Sequence, residues 1–282
     1  MTLAPLWEVY AVRYATAQRS VHGNFYDAAG FVDAPMDLAF FLWVLVSKPL
    51  GRVIVVDTGF SQDSAKARNR VQECDPPTAL RALGIDIATV GDVIITHLHY
   101  DHAGNFPAFP TATFHLQDEE MAYATGPCMC DPHQSHFFAV ADIGAAVRSL
   151  YAGRLAFHRG DAEIAPGVSV HFIGGHTAGL QAVRVQTERG QVVLASDAVH
   201  YFANKALRNP FPAIYDLDEM MRGYDRLDEL ADTPDHIVPG HDPEVLRIYP
   251  RQQNPLGVDI ARLHVAPVLD AQVALPQRRA PD

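Results

Sequence analysis

The stretch His97-Leu98-His99-Tyr100-Asp101-His102 decides how this sequence is interpreted. It places three imidazoles and a carboxylate within six residues, directly after the apolar run Val93-Ile94-Ile95, which predicts a buried strand. Imidazoles and carboxylates at this density are typical ligands of divalent metals of borderline softness. A solvated polar loop that happens to contain histidines is the alternative, and the recurrence of similar residues downstream argues against it.

Three more candidate ligands follow in comparable settings. His176 lies in a Gly-Gly-His-Thr-Ala-Gly turn, Asp197 ends the apolar run 192–196, and His241 follows Pro239-Gly240. Each stands at a glycine turn or a strand end, so its side chain can be presented from the rim of a sheet. On extended backbone, residues i and i+2 share a face, so one metal can be held by the two histidines that begin the first motif.

Together these motifs resemble those of the metallo-β-lactamase superfamily. Its H-x-H-x-D-H motif is matched without a gap, and the strand end Val55-Val56-Asp57-Thr58-Gly59 and the three downstream segments are similar as well. The resemblance extends from roughly residue 40 to residue 245. It implies an α/β fold, a metallo-β-lactamase-like four-layer αββα sandwich, with the metals at one edge between its halves.

The resemblance also implies a set of metal ligands. They are His97, His99 and His176 on one metal, Asp101, His102 and His241 on a second, and Asp197 bridging the two. The implied cofactors are two divalent ions, zinc foremost, with manganese, cobalt or iron as alternatives. Two such ions about 3.5–4 Å apart can share a hydroxide that attacks a substrate carbonyl. Asp57 is interpreted as a residue that orients a ligand or forms the turn, rather than as a ligand.

Within the superfamily, the sequence looks most like the branch of N-acyl-homoserine lactonases. The predicted function is a dinuclear-metal hydrolase that opens a small lactone ring, with quorum-signal lactones among the candidate substrates. Two alternatives stay open: a hydrolase of another small ester, cyclic amide or thioester in a catabolic pathway, and an iron-dependent oxidoreductase. Asp197 argues against the true β-lactamase branches, which by family comparison lack an aspartate bridge.

One departure from the lactonase pattern concerns the residues after Asp197. Those lactonases commonly have a tyrosine three residues later, whereas here the third residue is His200 and Tyr201 is one residue late. Either His200 donates a hydrogen bond to the substrate, or Tyr201 reaches in through another turn, or the substrate is not a homoserine lactone. His200 as a packing residue is the remaining alternative. Asp101 is the third catalytic candidate, because it could orient the nucleophile or carry its proton.

The residues that shape the pocket are predicted from composition. Segment 126–138 is rich in proline, cysteine and histidine and is the predicted lid. Within it, His133, His136 and Phe137 could form an aromatic and imidazole wall against the substrate. Phe202 is a further candidate for an apolar wall.

Spacing of apolar residues and turn signals predict the remaining elements. Strands are expected over residues 7–14, 40–46, 52–56, 113–116, 155–158, 169–173, 180–185 and 192–195. Helices are expected over 63–73, 77–83, 118–124 and 139–151, and from a cap at Asp216 to Thr233-Pro234.

Composition limits the partners. The 282 residues suffice for one large domain, predicted over 1–264, with a flexible C-terminal tail over 265–282. The net charge of −11 argues against nucleic acid and against an anionic membrane. No signal-like or membrane-spanning stretch is visible, so a cytoplasmic enzyme with a small-molecule substrate, as a monomer or homodimer, is expected.

Overall fold

The computed structural model describes residues 6–268 and 274–279. Thirteen strands lie within these ranges: β1 (Glu8–Ala17), β2 (Leu38–Ser47), β3 (Arg52–Val56), β4 (Val71–Gln72), β5 (Asp92–Ile94), β6 (Thr113–Gln117), β7 (Leu155–His158), β8 (Ala162–Ala165), β9 (Val168–Phe172), β10 (Gln181–Thr187), β11 (Gly190–Ser196), β12 (Ile237–Pro239) and β13 (Ile260–Arg262). The α-helices of the same ranges are α1 (Gln62–Ala67), α2 (Pro76–Arg81), α3 (Asp118–Ala124), α4 (Pro132–Ser135), α5 (Val140–Tyr151), α6 (Phe202–Ala206), α7 (Leu217–Leu230) and α8 (Glu244–Ile248).

The strands form two mixed sheets. The first has the order β13-β1-β2-β3-β5-β6-β7, with β4 paired to β1, and the second has the order β12-β11-β10-β9-β8. Strands β3, β5, β6 and β7 run parallel to one another, as do β11 and β12, while the hairpins β1–β2 and β10–β11 are antiparallel. The parallel strands therefore end at one edge of each sheet.

Four layers result from how the sheets bury their apolar faces. Trp43 and Ile54 of the first sheet pack with Val183 and Leu194 of the second in one buried core between the sheets. Helices α2 and α5 contribute to the core on the outer face of the first sheet, and Leu227 of α7 lies in the core outside the second. Strand β2 is covered on both faces, so its residues are apolar almost throughout instead of alternating. The predicted αββα sandwich is confirmed.

Most predicted elements are present, and one helix is wrong. Strand β3, helix α3 and strand β7 begin and end at the predicted residues, and Asp216 caps α7 by accepting the N–H of Glu219. The helix predicted over 63–73 ends at Ala67, because Asn69 adopts a positive φ of 53° and the chain then pairs with β1 as strand β4. Strands β4, β8, β12 and β13 and helices α4, α6 and α8 were not predicted.

Residues 274–279 lie within the predicted tail and contact an early loop. The N–H of Val32 donates to the carbonyl of Gln277 at 2.8 Å, and the N–H of Arg279 donates to that of Gly30 at 3.0 Å. The parts of this prediction at 269–273 and 280–282 lie outside the described residues. The division into a domain over 1–264 and a flexible tail stays a prediction. Across the described ranges, no helix combines the length and the apolar character needed to cross a membrane.

Candidate metal centre

The candidate ligands meet at one edge of the sandwich, where strands of both sheets end. The loop 97–102 follows β5, the turn with His176 follows β9, Asp197 follows β11, and His241 lies just after β12. Six of the seven side chains are buried, and Asp101 is partly exposed. The fold therefore brings together residues that are up to 144 positions apart, from 97 to 241.

The ligand atoms fall into two groups, each with its atoms within 4.8 Å of one another. The groups are His97, His99, His176 and Asp197, and Asp101, His102 and His241. Asp197 faces both. Its Oδ2 lies 3.3 Å from Nε2 of His176 and 3.8 Å from Nε2 of His97. Its Oδ1 lies 3.1 Å from Nε2 of His102 and 3.0 Å from Nε2 of His241. One carboxylate thus presents one oxygen to each group.

The donor atoms fit divalent cations. Nε2 of His97 is buried without a hydrogen-bond partner in the described part of the chain, and a buried polar atom of this kind normally has one. Burial lowers the pKa of His97 and His99 well below the usual value, and that of His176 to about 3. These imidazoles are therefore neutral, which is the form that ligates metal.

His102 differs from the other histidines. Burial would lower its pKa, but the carboxylates of Asp197, Asp57 and Asp101 outweigh that effect and raise it well above the usual value. Conversely, burial would raise the pKa of Asp197, and the surrounding histidines lower it well below the usual value. The carboxylates around His102 therefore favour a positive charge at the position where a metal cation would lie.

Hydrogen bonds behind the imidazoles direct their other nitrogens into the cluster. Nδ1 of His102 donates to Oδ2 of Asp57 at 2.7 Å, and the same carboxylate accepts the N–H of Thr96 at 2.7 Å. Nδ1 of His176 lies 2.7 Å from the Ala213 carbonyl, and Nδ1 of His241 lies 2.9 Å from that of Ala39. Such partners fix the tautomer and the orientation of metal-binding histidines.

Glu120 supports the site and was not found from the sequence. This buried residue of α3 accepts the N–H of Leu98 on Oε1 at 2.8 Å and the N–H of Gly179 on Oε2 at 3.0 Å. It thereby ties the 97–102 loop to the turn that contains His176. A Cβ at Gly179 would lie 2.2 Å from the Glu120 nitrogen, so the glycine permits this close approach. In the sequence, Glu120 looks like its exposed neighbour Glu119, since both suit the first turn of a helix.

A cavity of about 270 Å³ reaches the cluster. Two of the predicted pocket residues, His136 and Phe137, line it, and the Phe137 ring stacks on His99 with the centroids 5.1 Å apart. His133 is exposed on α4 and does not line this cavity. Phe202 lines a different cavity, of about 430 Å³, together with Tyr201.

His200, and not Tyr201, is brought to the cluster. Nε2 of His200 lies 3.1 Å from Oδ2 of Asp197, and its ring stacks on Phe211 with the centroids 3.9 Å apart. The Tyr201 hydroxyl is hydrogen-bonded to Nδ2 of Asn24 at 2.9 Å, and Tyr201 lines the larger cavity. Asp197, His200 and His241 also form a third group of candidate ligand atoms within 4.8 Å. From the sequence, His200 was expected only as a hydrogen-bond donor or a packing residue.

Comparisons with known proteins agree with this geometry. The family model of the metallo-beta-lactamase superfamily matches residues 42–241. The N-acyl homoserine lactonase AiiB of Agrobacterium fabrum (strain C58 / ATCC 33970) is 33% identical over 139 residues, which are 47% of this chain and 49% of that protein. An N-acyl homoserine lactonase of Bacillus cereus is 26% identical over 207 residues, or 68% of this chain and 77% of that protein. The chain thus spans about half the length of the Agrobacterium relative.

Solved structures show the same fold. A quorum-quenching N-acyl homoserine lactone lactonase matches with a TM-score of 0.70 at 23% identity, over 86% of this chain and 95% of that one. The hydrolase AbOPH, in the beta lactamase superfamily, matches with a TM-score of 0.64 at 15% identity, over 94% of this chain and 98% of that one. At these identities the likeness is one of fold.

Proposed function

Since the chain belongs to the metallo-β-lactamase superfamily, we propose that it is a metal-dependent hydrolase that opens a small lactone ring. The observation that carries the proposal is the position of Asp197, which presents one oxygen to each of two groups of ligand atoms. The relatives that are N-acyl homoserine lactonases support a lactone as the substrate. Zinc is the proposed metal, because imidazole and carboxylate sets of this kind commonly bind it.

The proposed ligands are those of the two groups. His97, His99 and His176 would hold one ion, Asp101, His102 and His241 the other, and Asp197 would bridge them. When bound, two such ions lower the pKa of a water molecule and polarise a substrate carbonyl. The contribution of the chain is to hold the imidazoles in place through Asp57 and through the carbonyls of Ala39 and Ala213.

Two residues of the cavity wall are proposed to act on the substrate. The side chain of Asp101 is 11% exposed, and it lines the cavity, so a substrate can reach its carboxylate. Asp101 can therefore accept a proton from the attacking water and return it to the leaving alkoxide. His200 also lines the cavity, and it is held in one orientation by its stacking on Phe211. We assign it the stabilisation of the oxyanion that develops on the carbonyl. Tyr201 takes no part in this proposal, because its hydroxyl is bonded to Asn24.

The test combines metal analysis with hydrolysis of a lactone panel. Protein of known metal content would be assayed, by proton release, with γ-butyrolactone and with homoserine lactones of short and long acyl chains. The proposal requires a lactone to be opened, the activity to disappear on chelation and to return with metal, and Asp197→Asn to lose both metal and activity. Asp218→Asn, on the exposed face of α7, is the matched control. A protein with two bound metals that opens no lactone would overturn the substrate class, and chelation without effect would overturn the metal dependence.

A further inference from the structure

Three arginines line the cavity that reaches the candidate metal centre, although the chain has a net charge of −11. Arg19 lies after β1, and Arg68 and Arg70 lie between α1 and β4. Among the described residues, none of the three has a carboxylate oxygen within 4.0 Å of its guanidinium. By contrast, Arg13 of β1 is paired with both Glu73 and Asp259.

Neutral groups hold the guanidiniums in place. Nε of Arg70 donates to the Tyr100 hydroxyl at 3.1 Å, and no partner of its terminal nitrogens is found in the described ranges. Arg68 lies 4.0 Å from the centroid of the Tyr100 ring and donates to the Phe138 carbonyl at 3.2 Å. These contacts position both charges without neutralising them.

Arg19 is likewise held by neutral groups. Its Nε donates to Oδ1 of Asn24 at 2.9 Å, and its guanidinium carbon lies 5.0 Å from the centroid of the Phe211 ring. Because the same ring stacks on His200, one aromatic residue connects this arginine with the candidate catalytic histidine. Burial lowers the pKa of Arg19, and the neighbouring charge of Arg70 adds to the decrease, so the two positive charges act on each other.

Three positive charges in a confined cavity are stabilised by a ligand of opposite charge. A guanidinium offers five N–H donors in a planar fork, a geometry that matches the two oxygens of a carboxylate. Arg70 uses one of its donors within the described residues, which leaves its terminal pair for a ligand. Pockets that enclose a drug-sized ligand measure roughly 300–1,000 Å³. The volume of this cavity, about 270 Å³, therefore favours a compact ligand.

We propose that Arg19, Arg68 and Arg70 form an anion subsite, and that the substrate is a compact lactone that carries a carboxylate. The proposal rests on the lactone hydrolysis proposed above and makes it more specific. It predicts that lactone acids are better substrates than the neutral N-acyl-homoserine lactones. Arg70 has the largest predicted effect, because both of its terminal nitrogens lack a partner in the described ranges. By contrast, one terminal nitrogen of Arg68 donates to the Phe138 carbonyl, and one of Arg19 donates to the Gly23 carbonyl.

A pair of lactones that differ in charge alone tests the subsite. The metal-loaded enzyme would be assayed with 5-oxotetrahydrofuran-2-carboxylate and with the corresponding carboxamide. We expect kcat/KM to be at least about tenfold higher for the carboxylate, the factor expected for one charge-assisted hydrogen bond. Arg70→Gln should remove that preference, mainly through KM for the carboxylate, and should change kcat/KM for the carboxamide less than about threefold. Arg70→Lys should restore part of it.

Controls separate a substrate contact from a structural role. Arg81→Gln removes one charge at the exposed end of α2 and should leave the preference intact. An equal loss with both lactones in Arg70→Gln, or no preference for the carboxylate in the wild type, would overturn the subsite.

A binding measurement keeps this test independent of the proposed activity. Calorimetric titration with 2-hydroxyglutarate, the product of opening the lactone acid, should give a Kd about tenfold weaker for Arg70→Gln than for the wild type and for Arg81→Gln. Failure of lactone hydrolysis together with this difference would overturn the lactonase proposal and support the anion subsite. Equal affinities in the three proteins would overturn the subsite even if γ-butyrolactone is hydrolysed.

Discussion

Replacing Glu120 by glutamine should weaken the metal centre without altering any ligand. The two carboxylate oxygens accept the N–H of Leu98, between His97 and His99, and the N–H of Gly179, three residues after His176. A glutamine has one acceptor oxygen, so its NH₂ group would face one of these two donors. A buried N–H would then lack a partner, in the contact that connects two ligand-bearing loops.

The size of the effect follows from opposing contributions. A hydrogen bond to a charged group contributes roughly 1.5–3 kcal/mol, and an unsatisfied buried donor costs about 1–3 kcal/mol. Burial raises the pKa of Glu120 despite its hydrogen bonds, so the native carboxylate already carries a desolvation cost that glutamine would relieve. The net loss of unfolding free energy should be about 2 kcal/mol, and Tm should fall by about 4–8 °C. Affinity for the metals should fall about 10- to 100-fold, as for other residues that support a ligand.

Chemical denaturation of the metal-free protein and competition with a chromophoric chelator would measure the two quantities. The matched control is Glu119→Gln, because Glu119 precedes Glu120 on α3 and is exposed. If Glu120→Gln lies within about 0.5 kcal/mol and twofold in metal affinity of this control, the reasoning about Glu120 is refuted.

Three further substitutions test other parts of the site and the fold. Asp57→Asn should lower metal affinity about 10- to 100-fold, because an asparagine cannot accept hydrogen bonds from Nδ1 of His102 and also from the N–H and hydroxyl of Thr96. An unchanged metal affinity in the chelator competition would contradict this expectation. His200→Ala should lower kcat about 100-fold and leave two metals bound. Loss of one metal equivalent would instead identify His200 as a metal ligand. An unchanged kcat would show that His200 takes no part in the reaction. Burial raises the pKa of Asp142 from 3.8 to about 7, so the ionised carboxylate lowers the stability of the fold progressively as pH rises from 3.8 through 7. Asp142→Asn should therefore stabilise the protein at pH 8 by about 2 kcal/mol, after allowance for solvent screening, and by less than about 0.5 kcal/mol at pH 4. Equal shifts in Tm at the two pH values would be inconsistent with this explanation.

The sequence was most informative about the candidate metal ligands, because they are all imidazoles or carboxylates in similar local settings. Imidazoles and carboxylates that each follow an apolar run could be assigned to strand ends, and strand ends of this fold lie along one edge. The supporting residues carry no such signal. Glu119 and Glu120 are equivalent in the sequence, and only the closure of α3 against Gly179 distinguishes the buried one. His200 could likewise be located, but its stacking on Phe211 depends on a turn that no local pattern predicts.

Because the helix over 63–73 was predicted incorrectly, the sequence did not indicate that Arg68 and Arg70 lie together beside Tyr100. In a continuous helix, residues 68 and 70 would be rotated by about 200° from each other, and their side chains would leave opposite faces. In the structure the positive φ of Asn69 breaks the helix, and Val71 then pairs with Thr16, so the chain continues antiparallel to β1. Arg68 and Arg70 then both contact Tyr100, one through its ring and one through its hydroxyl. Net charge could not reveal this either, because an excess of acidic residues over the whole surface says nothing about which charges line one cavity. The substrate charge is therefore better inferred from the three arginines than from the overall acidity of the chain.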